Sequence, residues 1–285
     1  MKHASLTLLL AGSLVPWVAS AQGGEPPPPR VLQIVRESVK AGKGPAHHRL
    51  EADWGRALAQ ASYPGTMLAI ESATGQGEAW FMTPFASWAE YEQFNNTFNS
   101  SPALAAVTAR FNEPESELVS DVRVMVATYR EDLSYVSPNG PPLPNMRYFS
   151  ITRTQVRPGH VGEFEEGRKM TKAAHEAAKL PDGYAIYQVN SGAAVGTFIQ
   201  FAPRKSMSEL DGMTQAHGAA YTAALGGDLG QQKLNALANS GTISSEVNHF
   251  SFSPDLSIPA KEWIALDSFW APKPAPAGKK ASDRQ

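Results

Sequence analysis

The feature that most constrains the fold of this chain is an internal duplication. The runs YREDLSY (129–135) and FSPDLSI (252–258) share an Asp-Leu-Ser triplet, 123 positions apart, and we predict each run as the last strand of a repeat. Similar segments precede both runs in the same order, at offsets of 117 for the first strand and 118 for the second. Ordered matches along six elements indicate two copies of one supersecondary unit.

The order of elements within each copy follows from the spacing of apolar residues. VLQIVRESVKAGKG and RYFSITRTQVRPGH both alternate and then meet a glycine, which predicts a strand followed by a turn. A helix follows, and in the first copy Leu50, Trp54 and Leu58 lie on one helical stripe. Two strands, a second helix and a last strand complete each copy. The predicted order is therefore β-α-β-β-α-β, the ferredoxin-like plan, twice.

A ferredoxin-like sheet carries both helices on one face, so its other face must be covered. In the segments TQVRPGHVGEFEE and, more weakly, SVKAGKGPAHHRLEADW, the chain resembles the dimeric α/β barrel superfamily, which includes NIPSNAP-type, antibiotic-biosynthesis-monooxygenase-type and chlorite-dismutase-like proteins. The resemblance implies an α+β fold in which two repeats pack sheet to sheet as an intramolecular barrel. A monomer is then a possible state. The resemblance does not imply one activity, because its members differ in chemistry.

Composition divides the chain into six segments. A short polar start, an apolar run and small residues at Ala19 and Ala21 predict a signal peptide over 1–21, cleaved after Ala21. We therefore expect a periplasmic or secreted protein without a membrane anchor, since the apolar run is too short to span a bilayer. The other predicted segments are a Pro-rich spacer (22–30), the first repeat (31–136), a linker (137–145), the second repeat (146–258) and a C-terminal extension with a disordered tail (259–285).

Charge, cysteine content and missing motifs exclude several classes of function. The formal net charge is −2 and no dense Lys/Arg face is present, so we expect no nucleic-acid partner. The chain has no cysteine, which excludes disulfides and thiolate metal sites. GxSxG, P-loop and HExxH motifs are absent from the sequence.

Histidines of the second repeat are the strongest candidates for catalysis or metal binding. They replace apolar residues of the first repeat: His175, His217 and His249 correspond to Leu58, Phe98 and Val126. Imidazole titrates near neutral pH and is a common metal ligand, so a cavity that gathered these rings could hold a metal, a haem or a substrate. In the alternative interpretation each ring only hydrogen-bonds to a neighbouring carbonyl, and strand parity decides whether His249 faces the barrel or the helices.

Two tyrosines and two arginines are candidates for ligand binding. Tyr187 and Tyr221 carry hydroxyls that need partners if buried. Arg36 and Arg153 occupy equivalent positions on the first strands of the two repeats, where they either pair with a carboxylate ligand or mark strand ends that reach solvent. Aromatic residues of the first repeat fall at helical spacing and are better explained as core.

Three functions are compatible with these residues. The first, which we favour, is a binding or structural module for a small apolar ligand. The second is a monooxygenase-like oxidoreductase, cofactor-independent or dependent on haem or metal, with its site in the second repeat. The third is an acid–base enzyme, which needs a buried carboxylate beside a histidine; no such pair is evident in the sequence. The sequence identifies no cofactor.

Overall fold

The computed structural model describes residues 27–138, 140–213 and 218–272 of the 285-residue chain. The predicted signal peptide, most of the Pro-rich spacer, His217 and the predicted tail beyond 272 lie outside the described residues. Within the described part, no helix combines the length and the apolar character that a membrane span requires.

The first repeat contains four strands and three helices. In chain order they are β1 (Val31–Val39), α1 (Gly44–Gln60), β2 (Leu68–Ser72), β3 (Glu78–Phe85), α2 (Trp88–Ser100), α3 (Pro102–Ser116) and β4 (Val119–Tyr129).

The second repeat follows the same order. Its elements are β5 (Tyr148–Val156), α4 (Val161–Ala178), β6 (Ala185–Ser191), β7 (Thr197–Arg204), α5 (Glu209–Met213), α6 (Gly218–Ala224), α7 (Gly227–Gly241) and β8 (Thr242–Phe252). A short helix α8 (Lys261–Leu266) and a single 3-10 turn at Ser268–Trp270 form the C-terminal extension.

The eight strands form one closed antiparallel barrel in the order β1-β3-β2-β8-β5-β7-β6-β4. Each repeat supplies four neighbouring strands, and the two sheets are joined along the β2–β8 and β4–β6 pairs. The predicted fold class, two ferredoxin-like repeats closed into an intramolecular α/β barrel, is confirmed.

Strand alternation separates the barrel interior from the faces under the helices. Every strand contributes two apolar side chains to one interior core: Leu32, Ile34, Leu68, Ile70, Trp80, Met82, Met125, Ala127, Phe149, Ile151, Tyr187, Val189, Ile199, Phe201, Phe250 and Phe252. The alternate residues pack outward against the helices, for example Val31, Ala69 and Phe198. The barrel is therefore a packed core at its centre.

The second helix predicted for each repeat is broken into shorter helices. In the first repeat the break falls at Ser101–Pro102, where Ser101 is extended (φ −87°, ψ 112°) and Pro102 starts α3. Proline disfavours a helical residue before it, so α2 cannot continue. In the second repeat Gly226 and Gly227 have φ of 100° and 68°, a left-handed backbone that separates α6 from α7.

The duplicated Asp-Leu-Ser triplet is a turn rather than a strand, which corrects the prediction for 129–135 and 252–258. β4 ends at Tyr129 and β8 at Phe252, and the triplets follow them. Leu133 and Leu256 are both fully buried. The Ser134 hydroxyl donates to the Arg130 carbonyl (2.6 Å) and accepts from the Ile186 amide (2.8 Å).

The second triplet repeats this arrangement with its own residues. The Ser257 hydroxyl donates to the Ser253 carbonyl (2.7 Å) and accepts from the Ala69 amide (2.9 Å). The strand bridges Tyr135–Tyr184 and Ile258–Met67 follow the two turns. The triplet is thus duplicated because each repeat uses its leucine as a buried anchor and its serine to satisfy a strand amide across the barrel seam.

We expect Ser134→Ala to destabilise the protein by about 1–3 kcal/mol, because the buried Ile186 amide loses its acceptor. Urea unfolding would measure this change. Ser100→Ala is the matched control: its exposed hydroxyl bonds only to the Thr97 carbonyl in its own helix, so we expect a change within about 0.5 kcal/mol. Equal effects of the two substitutions would contradict the role assigned to Ser134.

Candidate functional site

An apolar cavity of about 420 Å³ lies at one end of the barrel. Its walls come from interior positions of both repeats, near the starts of β1, β2, β5 and β6 and near the ends of β3 and β7. The interior residues that line it are Leu32, Leu68, Met82, Phe149, Ala185, Tyr187 and Phe201. The cavity therefore exists only where the two sheets meet, and neither repeat alone encloses it.

Large aromatic side chains end the cavity on its inner side. Trp80 and Phe250 are fully buried, with ring centroids 5.2 Å apart, and Phe201 packs edge-on against Trp80 at 6.4 Å. These rings fill the middle of the barrel. Space for a ligand is consequently confined to the end at which β1 and β5 begin.

The linker between the repeats covers this end of the barrel. Val136, Ser137, Pro141, Leu143 and Met146 all line the cavity. The C-terminal extension holds the linker in place, because the Trp270 indole N–H donates to the Pro144 carbonyl at 2.7 Å. Arg147 reinforces this contact by pairing with Asp267 and lying over the Phe269 ring.

Gly183 allows the loop before β6 to approach the linker closely. A Cβ atom at this position would lie 2.9 Å from the Tyr135 carbonyl oxygen and 3.0 Å from the Ser137 amide nitrogen. Any side chain would push the two segments apart. The glycine therefore permits the close packing of two segments that line the cavity.

Arg204 is the buried charge of the cavity wall. The residue is 6% exposed, and its Nε atom has no hydrogen-bond partner among the described residues. Burial lowers the pKa of Arg204, and the nearby carboxylates of Asp182 and Glu209 oppose that shift. Arg204 thus brings one N–H donor without a partner to the residues that line the cavity.

Tyr187 is the one predicted ligand-binding residue that the structure places in this cavity lining. Its hydroxyl donates to the Pro29 carbonyl at 3.0 Å, which ties the segment before β1 to the barrel mouth. Burial raises the pKa of Tyr187, so its phenol stays neutral. Tyr221 lies elsewhere, on α6 over the outer face of the second sheet.

The two predicted ligand arginines are paired with carboxylates of the barrel itself. Arg36 donates through Nε and Nη2 to Glu78, whose carboxylate also accepts from the Trp80 indole at 2.8 Å. Arg153 pairs with Glu246. Both arginines lie four residues beyond the cavity residues of β1 and β5, about 13 Å further along the strands.

These pairs form a four-charge cluster that closes the far end of the barrel. Burial alone would raise the pKa of Glu78, but the hydrogen bonds from Arg36 and Trp80 and the charge of Arg153 lower it below its ordinary value of 4.5. The cluster therefore stabilises the folded state fully when the pH is above the ordinary pKa of Glu78. This stabilisation is lost as the pH falls through the lowered pKa of Glu78.

We expect Arg36→Met to cost about 3–5 kcal/mol of unfolding free energy near neutral pH, because it leaves the Glu78 carboxylate buried without its counter-ion. The difference from wild type should shrink at acidic pH, where Glu78 takes up a proton in both proteins. Urea unfolding across the acidic range would measure it. The control variant Arg56→Met removes an exposed ion pair with Asp53 and should change stability by less than about 1 kcal/mol. A destabilisation by Arg36→Met that does not depend on pH would contradict the role assigned to the Arg36–Glu78 pair.

The described candidate histidines of the second repeat have separate partners. The His175 ring lies among Tyr135, Tyr184 and Tyr221, with centroids 5.2–5.4 Å away, and its Nδ1 donates to the Thr171 carbonyl at 2.8 Å. His249 lies on the outer face of β8, with Nδ1 3.0 Å from the Ser150 hydroxyl. Neither residue lines the barrel-mouth cavity.

A buried carboxylate–histidine cluster in the first repeat was missed by the sequence analysis. His47 Nε2 lies 2.7 Å from Glu37 Oε2, and Glu51 is the third member. Burial raises the pKa of Glu37 and of Glu51 well above 4.5 and lowers the pKa of His47. The acid–base hypothesis required such a pair, but none of the three residues lines the cavity.

The sequence does contain a signal for this cluster. His47 and Glu51 are four residues apart on one helix and therefore share a face. Glu37 lies on the face of β1 that packs against that helix. Val31 and Val35 lie on the same face of β1. The sequence signal for the cluster is therefore a carboxylate at an outward strand position that a helix covers.

No protein-family model matches the chain, and no curated protein matches it. Among solved structures, a Lactobacillus acidophilus protein provisionally described as a monooxygenase is 8% identical and covers 81% of this chain and 96% of its own, with a TM-score of 0.49. An anthrone oxidase-like protein is 12% identical and covers 79% of this chain and 91% of its own, also at 0.49.

Another solved structure matches only about one repeat of this chain. A NIPSNAP domain protein from Burkholderia xenovorans is 14% identical and covers 34% of this chain and 90% of its own, with a TM-score of 0.28. The strand order of the chain itself shows the α/β barrel fold that the sequence resemblance implied. At these identities nothing about activity follows.

Proposed function

We propose that the protein binds a small, mainly apolar molecule with a hydrogen-bond acceptor at one end, in the barrel-mouth cavity. The observation that carries this proposal is the combination of an apolar cavity with the unpaired, buried Nε–H of Arg204 among its lining residues. Ligand sites commonly have this form: a hydrophobic wall with a few polar groups that fix orientation.

Size and lining define the ligand class. A cavity of about 420 Å³ falls within the range of 300–1,000 Å³ that holds small organic ligands. Leu68, Met82 and Phe201 offer apolar contact to the body of such a molecule. Arg204 offers an N–H donor, which suits a carbonyl, carboxylate or sulfonate oxygen at the end of the ligand.

The monooxygenase-like alternative has less support from the residues at hand. A cofactor-independent oxygenase would also use an apolar cavity, but it needs a group that accepts a proton from the substrate. The described lining residues include no histidine, and the two carboxylates that could accept a proton, Asp182 and Glu209, already interact with the charge of Arg204. Ligand binding is therefore the function that we infer.

From the N-terminal sequence alone, we also propose that the protein is exported and meets its ligand outside the cytoplasm.

The anionic dye 1-anilinonaphthalene-8-sulfonate, which has fused aromatic rings and a sulfonate, tests the binding proposal. We expect about one equivalent to bind with increased fluorescence. Leu68→Trp, which fills the cavity, should weaken binding at least tenfold, whereas Leu229→Trp, the same change at an exposed site on α7, should leave it unchanged. Leu32→Phe is a smaller cavity-filling variant if Leu68→Trp fails to fold, and circular dichroism checks the fold of each. Equal binding by the filled and control variants would overturn the proposal.

Arg204 is tested separately with a pair of dyes. We expect Arg204→Met to weaken binding of the sulfonate dye about tenfold, which corresponds to about 1.4 kcal/mol for one lost charge-assisted hydrogen bond. The neutral dye N-phenyl-1-naphthylamine, which lacks the sulfonate, should bind wild type and variant equally. A parallel loss of both dyes would show that Arg204 maintains the cavity and does not recognise an acceptor.

A further inference from the structure

We propose that Glu37, His47 and Glu51 form a binding site for one divalent transition-metal ion in the first repeat. The three side chains lie between β1 and α1, on the opposite side of the sheet from the barrel cavity. The site is therefore separate from the proposed ligand site, and neither proposal depends on the other.

The geometry of the three side chains suits a single ion. One donor atom from each residue lies within 4.8 Å of the other two. Imidazole and carboxylate ligands bind such ions at about 2.0–2.2 Å, so two ligand atoms on one ion are separated by up to about 4 Å. Small side-chain rotations would bring all three atoms onto one ion. The residues are 4%, 1% and 3% exposed, so the backbone already holds them in a dry, fixed position.

The Glu51 carboxylate is the second observation that points to a ligand. It is almost fully buried, and none of the hydrogen bonds found among the described residues involves it. A buried carboxylate without a donor is costly unless a cation or a proton compensates it. Glu51 faces Glu37 and His47, so a cation between the three would supply that compensation.

The second repeat shows that the fold does not need this cluster. The positions equivalent to Glu37, His47 and Glu51 hold Thr154, Phe164 and Arg168. There the Phe164 ring packs on Phe198 at 4.5 Å and supplies an ordinary hydrophobic contact. Two buried carboxylates and a histidine in place of such a contact require a reason other than packing, and metal binding provides one.

The donor set indicates the class of metal. One imidazole nitrogen with two carboxylates suits Zn²⁺, Mn²⁺ or Fe²⁺, whereas Ca²⁺ and Mg²⁺ favour oxygen ligands throughout. Glu115 of α3 lies next to Glu37, is partly buried, and has its pKa raised by burial. Its carboxylate could supply a fourth ligand. A bound ion would cross-link β1 and α1, and also α3 if Glu115 coordinates it.

Isothermal titration of the full chain, purified without chelator and then stripped of metal, tests the site with Zn²⁺ and Mn²⁺ alone. We expect one equivalent of either ion to bind wild type. His47→Gln should lower the affinity at least 100-fold and Glu51→Gln at least tenfold. His48→Gln, the neighbouring residue whose ring pairs instead with Glu71, is the matched control and should bind as wild type does.

A thermal measurement provides an independent readout. Because an ion that binds only the folded state stabilises it, one equivalent should raise the Tm of wild type and of His48→Gln but not that of His47→Gln. If His47→Gln does not fold, two other measurements test the site. The nearly isosteric Glu51→Gln variant should bind the ion more weakly, and in ¹⁵N spectra of histidine-labelled wild type the chemical shift of one imidazole should change on binding. Absence of stoichiometric binding, or equal binding by the Glu51→Gln and His48→Gln variants, would overturn the proposal.

Discussion

Closure of the barrel between the two repeats is the constraint on which the rest of the structure depends. Each four-stranded sheet has an apolar inner face that water would otherwise cover, and the β2–β8 and β4–β6 pairings bring the two faces together. The duplicated serine turns reinforce this closure, since Ser134 and Ser257 each satisfy an amide on a neighbouring strand. Because both repeats belong to one chain, the barrel does not need a second molecule to form.

Closure also determines where chemistry can occur. The aromatic layer around Trp80 fills the centre of the barrel, and the ion pairs of Arg36 and Arg153 occupy the far end. The apolar cavity lies at the end beneath the linker, and its lining includes Arg204, whose buried Nε–H has no partner among the described residues. The first repeat places its buried polar cluster elsewhere, under α1. The two repeats, although equal in fold, thus differ in the residues that can act on ligands.

The repeat order, the sheet-to-sheet barrel and its α+β class were predictable because they follow from periodicity and from the need to cover an apolar face. The broken second helices were less predictable. Pro102 after Ser101 is a visible signal for a break, whereas Gly226 and Gly227 do not by themselves show that the backbone there is left-handed. The site could not be predicted, because the cavity arises from long-range placement of the linker and the C-terminal extension. Histidines that replace apolar residues of the other repeat are visible in the sequence, whereas the Glu37–His47 pair depends on which face of β1 is covered by α1.

The most direct test of the central claim is to locate a bound apolar molecule by NMR. With methionine methyl groups labelled by ¹³C, N-phenyl-1-naphthylamine in the barrel mouth should show intermolecular nuclear Overhauser effects to Met82 and Met146, which line the cavity. Met170, on the outer surface of α4, should show none. Contacts confined to Met170, or no contacts to Met82 and Met146 at saturating dye, would contradict the account.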